Sequence, residues 1–211
     1  MENGINKPVK FARMFWYEDE VKRLEAASKQ IPDKRGTIFY GSSTIRLWDS
    51  LSADLPALNP VNLGFGGSTL AACVWFFNRI MQDYQPKQLI VYAGDNDLGD
   101  GRHPEEVYIF FKQLVVVAQE RFGNLPCYFI SLKPSPTRWN IAEQFKSANQ
   151  LISTEITTRL PNWQYINLFA DMLGADGKPK RELFLDDGLH LSKLGYAVWK
   201  TIIAEKTGAQ L

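Results

Sequence analysis

Histidine and cysteine are scarce in this chain, with two of each among 211 residues. Cys73 and Cys127 sit in apolar surroundings without metal-ligand spacing, so they read as buried thiols rather than a disulfide, and a reducing cytoplasm fits. An excess of either charge is also missing. Lys and Arg number 24 against 23 Asp and Glu, a net charge of +1, which argues against a bulk electrostatic partner such as nucleic acid or an anionic membrane. No uninterrupted apolar stretch is long enough to span a bilayer. Residues 1–17 contain no apolar signal-peptide core, and the expectation is a cytoplasmic chain with a mature start. Internal repeats, low-complexity tracts and interdomain linkers are absent as well. The partner expected is a small molecule; the sequence does not determine the oligomeric state.

What is present is a regular alternation. Five short apolar, β-rich runs at 37–40, 60–63, 88–93, 127–132 and 164–168 are continuous rather than alternating, as in parallel strands buried on both faces. Helical patterns lie between and around them, at 18–30, 69–84, 104–122, 139–160 and 191–207. Pro32, Pro86, Gly123, Pro161 and Gly208 act as stops. Trp75, Phe76 and Phe77 are expected in the core. The alternation predicts an α/β fold with a mainly parallel sheet. The division expected is a helical extension over 1–35, packed on one domain over 36–211. The longest irregular stretch, 169–187, carries Gly174, Gly177 and Pro179, and an irregular stretch of that length is more often functional than idle.

In an open parallel sheet the C-terminal ends of the strands share one rim, where such folds bind ligands. Ser43, Gly67 and Asn96 follow the first, second and third runs, and Asp187 and His190 follow the fifth. With so few histidines, candidates for a general base at neutral pH are few, and Asp187 three residues before His190 can orient its imidazole. Ser43 stands where a helical turn begins, so it serves either as an N-cap or as a nucleophile. The acid–histidine pair on the same rim favours the nucleophile, and Ser43 is preferred to Ser42. Gly64, Gly66 and Gly67 suit a tight turn with exposed N–H groups, either structural or donating to an oxyanion. Asn96 is a turn residue or a side-chain donor to developing negative charge. His103 reads as a surface or capping residue. Lys133, Arg138 and Trp139, after the fourth run, are candidate substrate contacts. No metal is expected: the acidic cluster Asp95, Asp97, Asp100 and Glu106 has Asp100 where a calcium loop needs glycine. Thr69 stands where a dinucleotide fingerprint needs glycine or alanine, and no Gly-x-Ser-x-Gly elbow is present.

These four segments resemble the blocks of the SGNH hydrolases, also called GDSL-type esterases and lipases. Gly41-Ser42-Ser43-Thr44 is similar to the first block, Asn62-Leu63-Gly64-Phe65-Gly66-Gly67 to the second, Gly94-Asp95-Asn96-Asp97 to the third and Asp187-Gly188-Leu189-His190 to the last. The resemblance spans the chain from Thr37 to the last helix. It implies a flavodoxin-like three-layer α/β/α sandwich with strand order 2-1-3-4-5. It also implies a Ser43–His190–Asp187 triad, an oxyanion hole from Ser43, Gly67 and Asn96, ester hydrolysis, and no cofactor. One departure stands out: Ser42 replaces the usual aspartate of the first block. Carbohydrate acetylesterase, lysophospholipase or thioesterase activity, and a non-catalytic acyl- or sugar-binding module, remain open at this stage.

Overall fold

The computed structural model describes residues 12–31 and 33–210, with residues 12–15 described by backbone alone. Residues 1–11, the start of the expected N-terminal extension, lie outside the described residues. The five apolar runs form strands β1 (Thr37–Gly41), β2 (Pro60–Gly64), β3 (Gln88–Tyr92), β4 (Cys127–Ile130) and β5 (Trp163–Ile166). They pair in parallel in the order β2-β1-β3-β4-β5. Around them run helices α1 (Ala12–Ser28), α2 (Ser43–Arg46), α3 (Leu51–Asp54), α4 (Leu70–Met81), α5 (Asp95–Gly99), α6 (Pro104–Phe122), α7 (Ala142–Arg159) and α8 (Lys193–Thr207).

Strand alternation assigns each helix layer its face of the sheet. Phe39 meets Trp48 at 5.9 Å between ring centroids; Trp48 stacks on Tyr196 of α8 at 5.0 Å, and Trp199 of α8 meets Tyr92 at 4.9 Å. Tyr40, one residue on, points the other way to Phe77 of α4 at 5.6 Å, and Phe129 meets Phe111 of α6 at 5.1 Å. The register agrees, with Tyr40 beside Val91 and Val91 beside Phe129 on one face, and Gly41 beside Tyr92 on the other. The result is a three-layer sandwich, held by aromatic side chains that each stabilise the core by about 1.5–3 kcal/mol when fully buried.

The structure corrects several element boundaries. β4 stops two residues early because the Asn149 side chain takes over the pairing: its Oδ1 accepts from the Leu132 N–H at 2.8 Å and its Nδ2 donates to the Leu132 carbonyl at 2.9 Å. The predicted helix at 139–160 begins only at Ala142, after a 3-10 turn over Pro136–Ile141 in which Arg138 has non-helical φ/ψ of −112° and 19°. α4 and α8 start one and two residues later than their patterns because Thr69 and Ser192 are their N-caps, accepting from the N–H groups of Ala72 and Gly195. Trp75 is exposed rather than in the core, whereas Phe76 and Phe77 are buried. Three successive helical residues span about 200° of the helix, so one of them must face away.

α1 begins six residues before its predicted start and lies along α4. The Arg79 guanidinium of α4 reaches both Glu18 and Glu25 of α1, with four nitrogen–oxygen contacts of 3.0 Å. Among the described residues no helix is long and apolar enough to cross a membrane.

Candidate active site

The loops that follow the strands meet on the rim expected from the sequence. At the end of β1 the chain turns directly into α2. Ser42 is the N-cap residue and is buried; its N–H donates to the Tyr92 carbonyl at 3.0 Å. Ser43 is therefore not the cap but the first helical residue, half-buried, with its hydroxyl turned to the rim. Ser43 Oγ lies 3.0 Å from His190 Nε2, across 147 residues of sequence. On the far side of the ring His190 Nδ1 lies 2.5 Å from Asp187 Oδ2.

The irregular chain before α8 holds that pair. Asp187 Oδ1 accepts from the backbone N–H groups of Leu189 at 2.8 Å and His190 at 3.0 Å, an Asx-type turn. Gly188 has φ of +64°, which favours glycine, and a methyl there would sit 2.8 Å from Thr137 Oγ1. Thr137 closes the turn from outside: its hydroxyl donates to the Asp187 carbonyl at 2.5 Å, and its N–H to the Gly188 carbonyl at 3.2 Å. Burial alone would raise the Asp187 pKa. The hydrogen bonds from the His190 ring and the two backbone N–H groups outweigh it and hold the carboxyl at about 2. Asp187 is then ionised and can only accept, so in neutral His190 the proton resides on Nδ1 and the Nε2 lone pair faces the Ser43 hydroxyl. A hydroxyl, an imidazole and a carboxylate in this order can move a proton from oxygen to nitrogen while the carboxylate steadies the imidazolium.

The glycine turn after β2 lies between α1 and Asn96. Gly67 has φ of +67°, with open space where a side chain would stand. Tyr17 of α1 donates its hydroxyl to the Gly67 carbonyl at 3.0 Å, Glu20 accepts from the Gly66 N–H at 3.3 Å, and Arg23 donates to the Gly64 carbonyl at 3.3 Å. Asn96, in the first turn of α5, donates from Nδ2 to the Ser68 carbonyl at 3.1 Å. Asp97 ties α5 to α4 by accepting from the Leu70 N–H and from Arg102, both at 2.8 Å. Side chains of the third sequence block thus hold the residues that directly follow the second.

Beneath Asn96 lies a buried charged cluster. Lys133 Nζ sits 3.1 Å from Asp95 Oδ2 and 3.2 Å from the Tyr92 hydroxyl. Arg138 Nη1 donates to the Asp95 backbone carbonyl at 2.8 Å, and Nη2 to Asn96 Oδ1 at 3.0 Å. Burial would raise the Asp95 pKa, but the charges of Lys133 and Arg138 outweigh it and bring it below the usual value; burial lowers that of Lys133. Desolvating a charge costs several kcal/mol per ion unless it is paired, so a cation and an anion this deep are each other's condition for burial. The expectation that Lys133 contacts substrate is corrected here: its side chain is 1 % exposed and already bound to Asp95. Arg138 faces the Asn96 amide, and Trp139 is half-buried in the 3-10 turn. His103 is the N-cap residue of α6, its N–H donating to Glu106 at 2.9 Å. Among the described residues no group of three or more His, Cys, Asp or Glu is placed to hold a metal ion.

A family profile described as the GDSL-like Lipase/Acylhydrolase family matches residues 21–198. The chain belongs to this family. Solved structures with the same fold include a GDSL-like lipase from Bacteroides thetaiotaomicron VPI-5482, with TM-score 0.70, 18 % identity, and coverage of 94 % of this chain and 98 % of that one. A protein from Streptococcus pneumonia provisionally named a platelet activating factor superposes with TM-score 0.81 at 14 % identity, covering 92 % of this chain and 94 % of that one. The CTD of the Drosophila Oskar protein also matches, with TM-score 0.65, 14 % identity, and coverage of 81 % and 87 %. At such identities the likeness is one of fold. Comparison with curated proteins gave no match. What a GDSL-like chain does therefore rests on its own site residues.

Proposed function

We propose that the protein is a serine hydrolase cleaving carboxylic esters, with Ser43 as nucleophile, His190 as base and then acid, and Asp187 as the group that orients His190. The observation that carries this reading is the continuous relay Ser43 Oγ–His190 Nε2, His190 Nδ1–Asp187 Oδ2. His190 Nε2 takes the Ser43 proton as Oγ attacks the ester carbonyl, and the carbonyl π pair moves onto oxygen. The Ser43 and Gly67 N–H groups and the Asn96 amide receive that oxyanion. Collapse expels the alcohol, which takes the proton from His190. Water, deprotonated by the same nitrogen, then cleaves the acyl-enzyme and returns the proton to Ser43. Neither metal nor organic cofactor enters any step.

An open cleft of about 440 Å³ lies beside the Asp187 turn, which Thr137 of its lining touches; polar side chains, among them Arg102, His103, Asn140 and Gln144, share that lining with Leu98, Ile141 and two glycines. A fatty chain needs a long apolar channel, whereas an acetyl group needs only a small recess beside polar donors. We read the substrate as a short-acyl ester of a polar alcohol, a reading supported by the polar side chains beside the Asp187 turn. Hydrolysis of p-nitrophenyl esters from acetate to palmitate tests it. Turnover is expected to peak at acetate. A peak at long chains contradicts the short-acyl assignment, and failure to turn over any ester contradicts the esterase reading.

A further inference from the structure

We propose that Arg138 is a positioning residue whose guanidinium locks the Asn96 side-chain amide with its N–H group toward the oxyanion, and that Gly99 is the space that admits it. The inference rests on the proposed role of Asn96 and deepens it.

An asparagine serves an oxyanion only one way round. Its amide oxygen and nitrogen have nearly the same shape, and a half-turn would present a carbonyl dipole to the negative charge. The surroundings of Asn96 decide the orientation at both ends. Oδ1 accepts from Arg138 Nη2 at 3.0 Å, and Nδ2 donates to the Ser68 carbonyl at 3.1 Å. A guanidinium has no acceptor, so the turned amide would set N–H against N–H on one side and oxygen against oxygen on the other. One amide proton serves Ser68, which leaves the second for the site.

Arg138 is itself held in place. Its other arm donates to the Asp95 carbonyl at 2.8 Å and lies 3.6 Å from the Asp95 carboxylate, which Lys133 clamps from below. The side chain is 18 % exposed, with donors directed at Asp95 and Asn96, a geometry suited to support rather than to a substrate contact. A lysine could not replace it, because one ammonium cannot present two donors in a fixed fork. The second observation is independent of these hydrogen bonds. A Cβ on Gly99 would stand 2.7 Å from Nε, Cζ and Nη2 of Arg138 alike. The guanidinium thus lies flat on the backbone at the end of α5, the helix whose first turn carries Asn96.

The test is a double-mutant cycle on p-nitrophenyl acetate hydrolysis. Asn96→Ala removes one oxyanion donor, a loss of about 10²- to 10³-fold in kcat. Arg138→Ala is expected to lower kcat by roughly 10- to 100-fold, with KM changed by less than about threefold, since it only misaligns that donor. In the Asn96→Ala background the same change is expected to cost less than about threefold more, because the two act as one unit. Millimolar guanidinium is expected to restore part of the Arg138→Ala rate and none of the double variant's, and Arg138→Lys is expected to stay impaired. Equal losses in both backgrounds, or a raised KM at unchanged kcat, would overturn the proposal. Gly99→Ala, which leaves the arginine in the chain, is expected to lower kcat in the same direction; a wild-type kcat there would overturn it too. The Asn96 side-chain ¹⁵N–¹H signals keep this inference separable from the esterase reading. Read without substrate, their ¹⁵N relaxation is expected to report a rigid amide in the wild type and a mobile one in Arg138→Ala; unchanged relaxation would contradict the lock even if no ester is turned over.

Discussion

Ser43→Ala is expected to lower kcat for p-nitrophenyl acetate by roughly 10⁴- to 10⁶-fold while the protein stays folded. The variant keeps the other proposed groups, so the remaining rate is what an aligned water and the oxyanion donors can supply without a covalent intermediate. Folding should change little. The lost hydroxyl is half-buried with one described partner, His190, and a hydrogen bond of that kind contributes about 1 kcal/mol net. Ser42 cannot take over, because it is closed to solvent and its backbone is tied to Tyr92. Steady-state kinetics beside a thermal melt measures both quantities. A variant with near-wild-type turnover would remove Ser43 from the mechanism.

Asp187→Asn is expected to lower kcat by about 10⁴-fold, more than the loss of a single hydrogen bond, through the tautomer of His190. The backbone N–H groups of Leu189 and His190 require an acceptor, so they would hold the amide oxygen and turn the amide nitrogen toward Nδ1. Nδ1 would then have to accept, the ring proton would move to Nε2, and Ser43 would face a donor where it needs a base. The acid dependence of stability should change with it. The folded Asp187 pKa lies at about 2, below its ordinary value of 3.8. Its contribution to stability is therefore fully present above the ordinary value and is lost as pH falls toward 2. Melting temperatures taken across that window should show this loss in the wild type and not in the variant. The rate deficit should persist at neutral pH, where the wild-type carboxylate is fully ionised.

The sheet was legible because its strands are short apolar runs, and β1 and β3, buried almost throughout, stand out without reference to the rest of the fold. Helix ends were legible where a chemical stop exists, as with Pro104 and Gly123 at the two ends of α6. The pattern at 139–160 was misread for a reason that lies outside the segment. Arg138 leaves helical geometry and reaches Asp95 and Asn96, 43 and 42 residues earlier, and nothing local announces partners that far away. Lys133 misled in the same way. A lysine after a strand, on the rim of the candidate site, reads as a substrate contact until its carboxylate, 38 residues earlier, is seen beside it. Among the proposed site residues, the common rim of Ser43, Asp187 and His190 was legible because the loops after their strands lie at one edge of a parallel sheet. The structure brings these three within hydrogen-bonding distance. The support of the glycine turn by Tyr17, Glu20 and Arg23 was not legible, since it depends on where α1 docks.

The most direct measurement of the central claim is covalent capture by a fluorophosphonate, with the adduct located by peptide mass spectrometry. The account predicts one adduct, on Ser43, absent from Ser43→Ala and strongly slowed in His190→Ala. An adduct on another residue, or an unmodified Ser43 in folded wild-type protein, would contradict it.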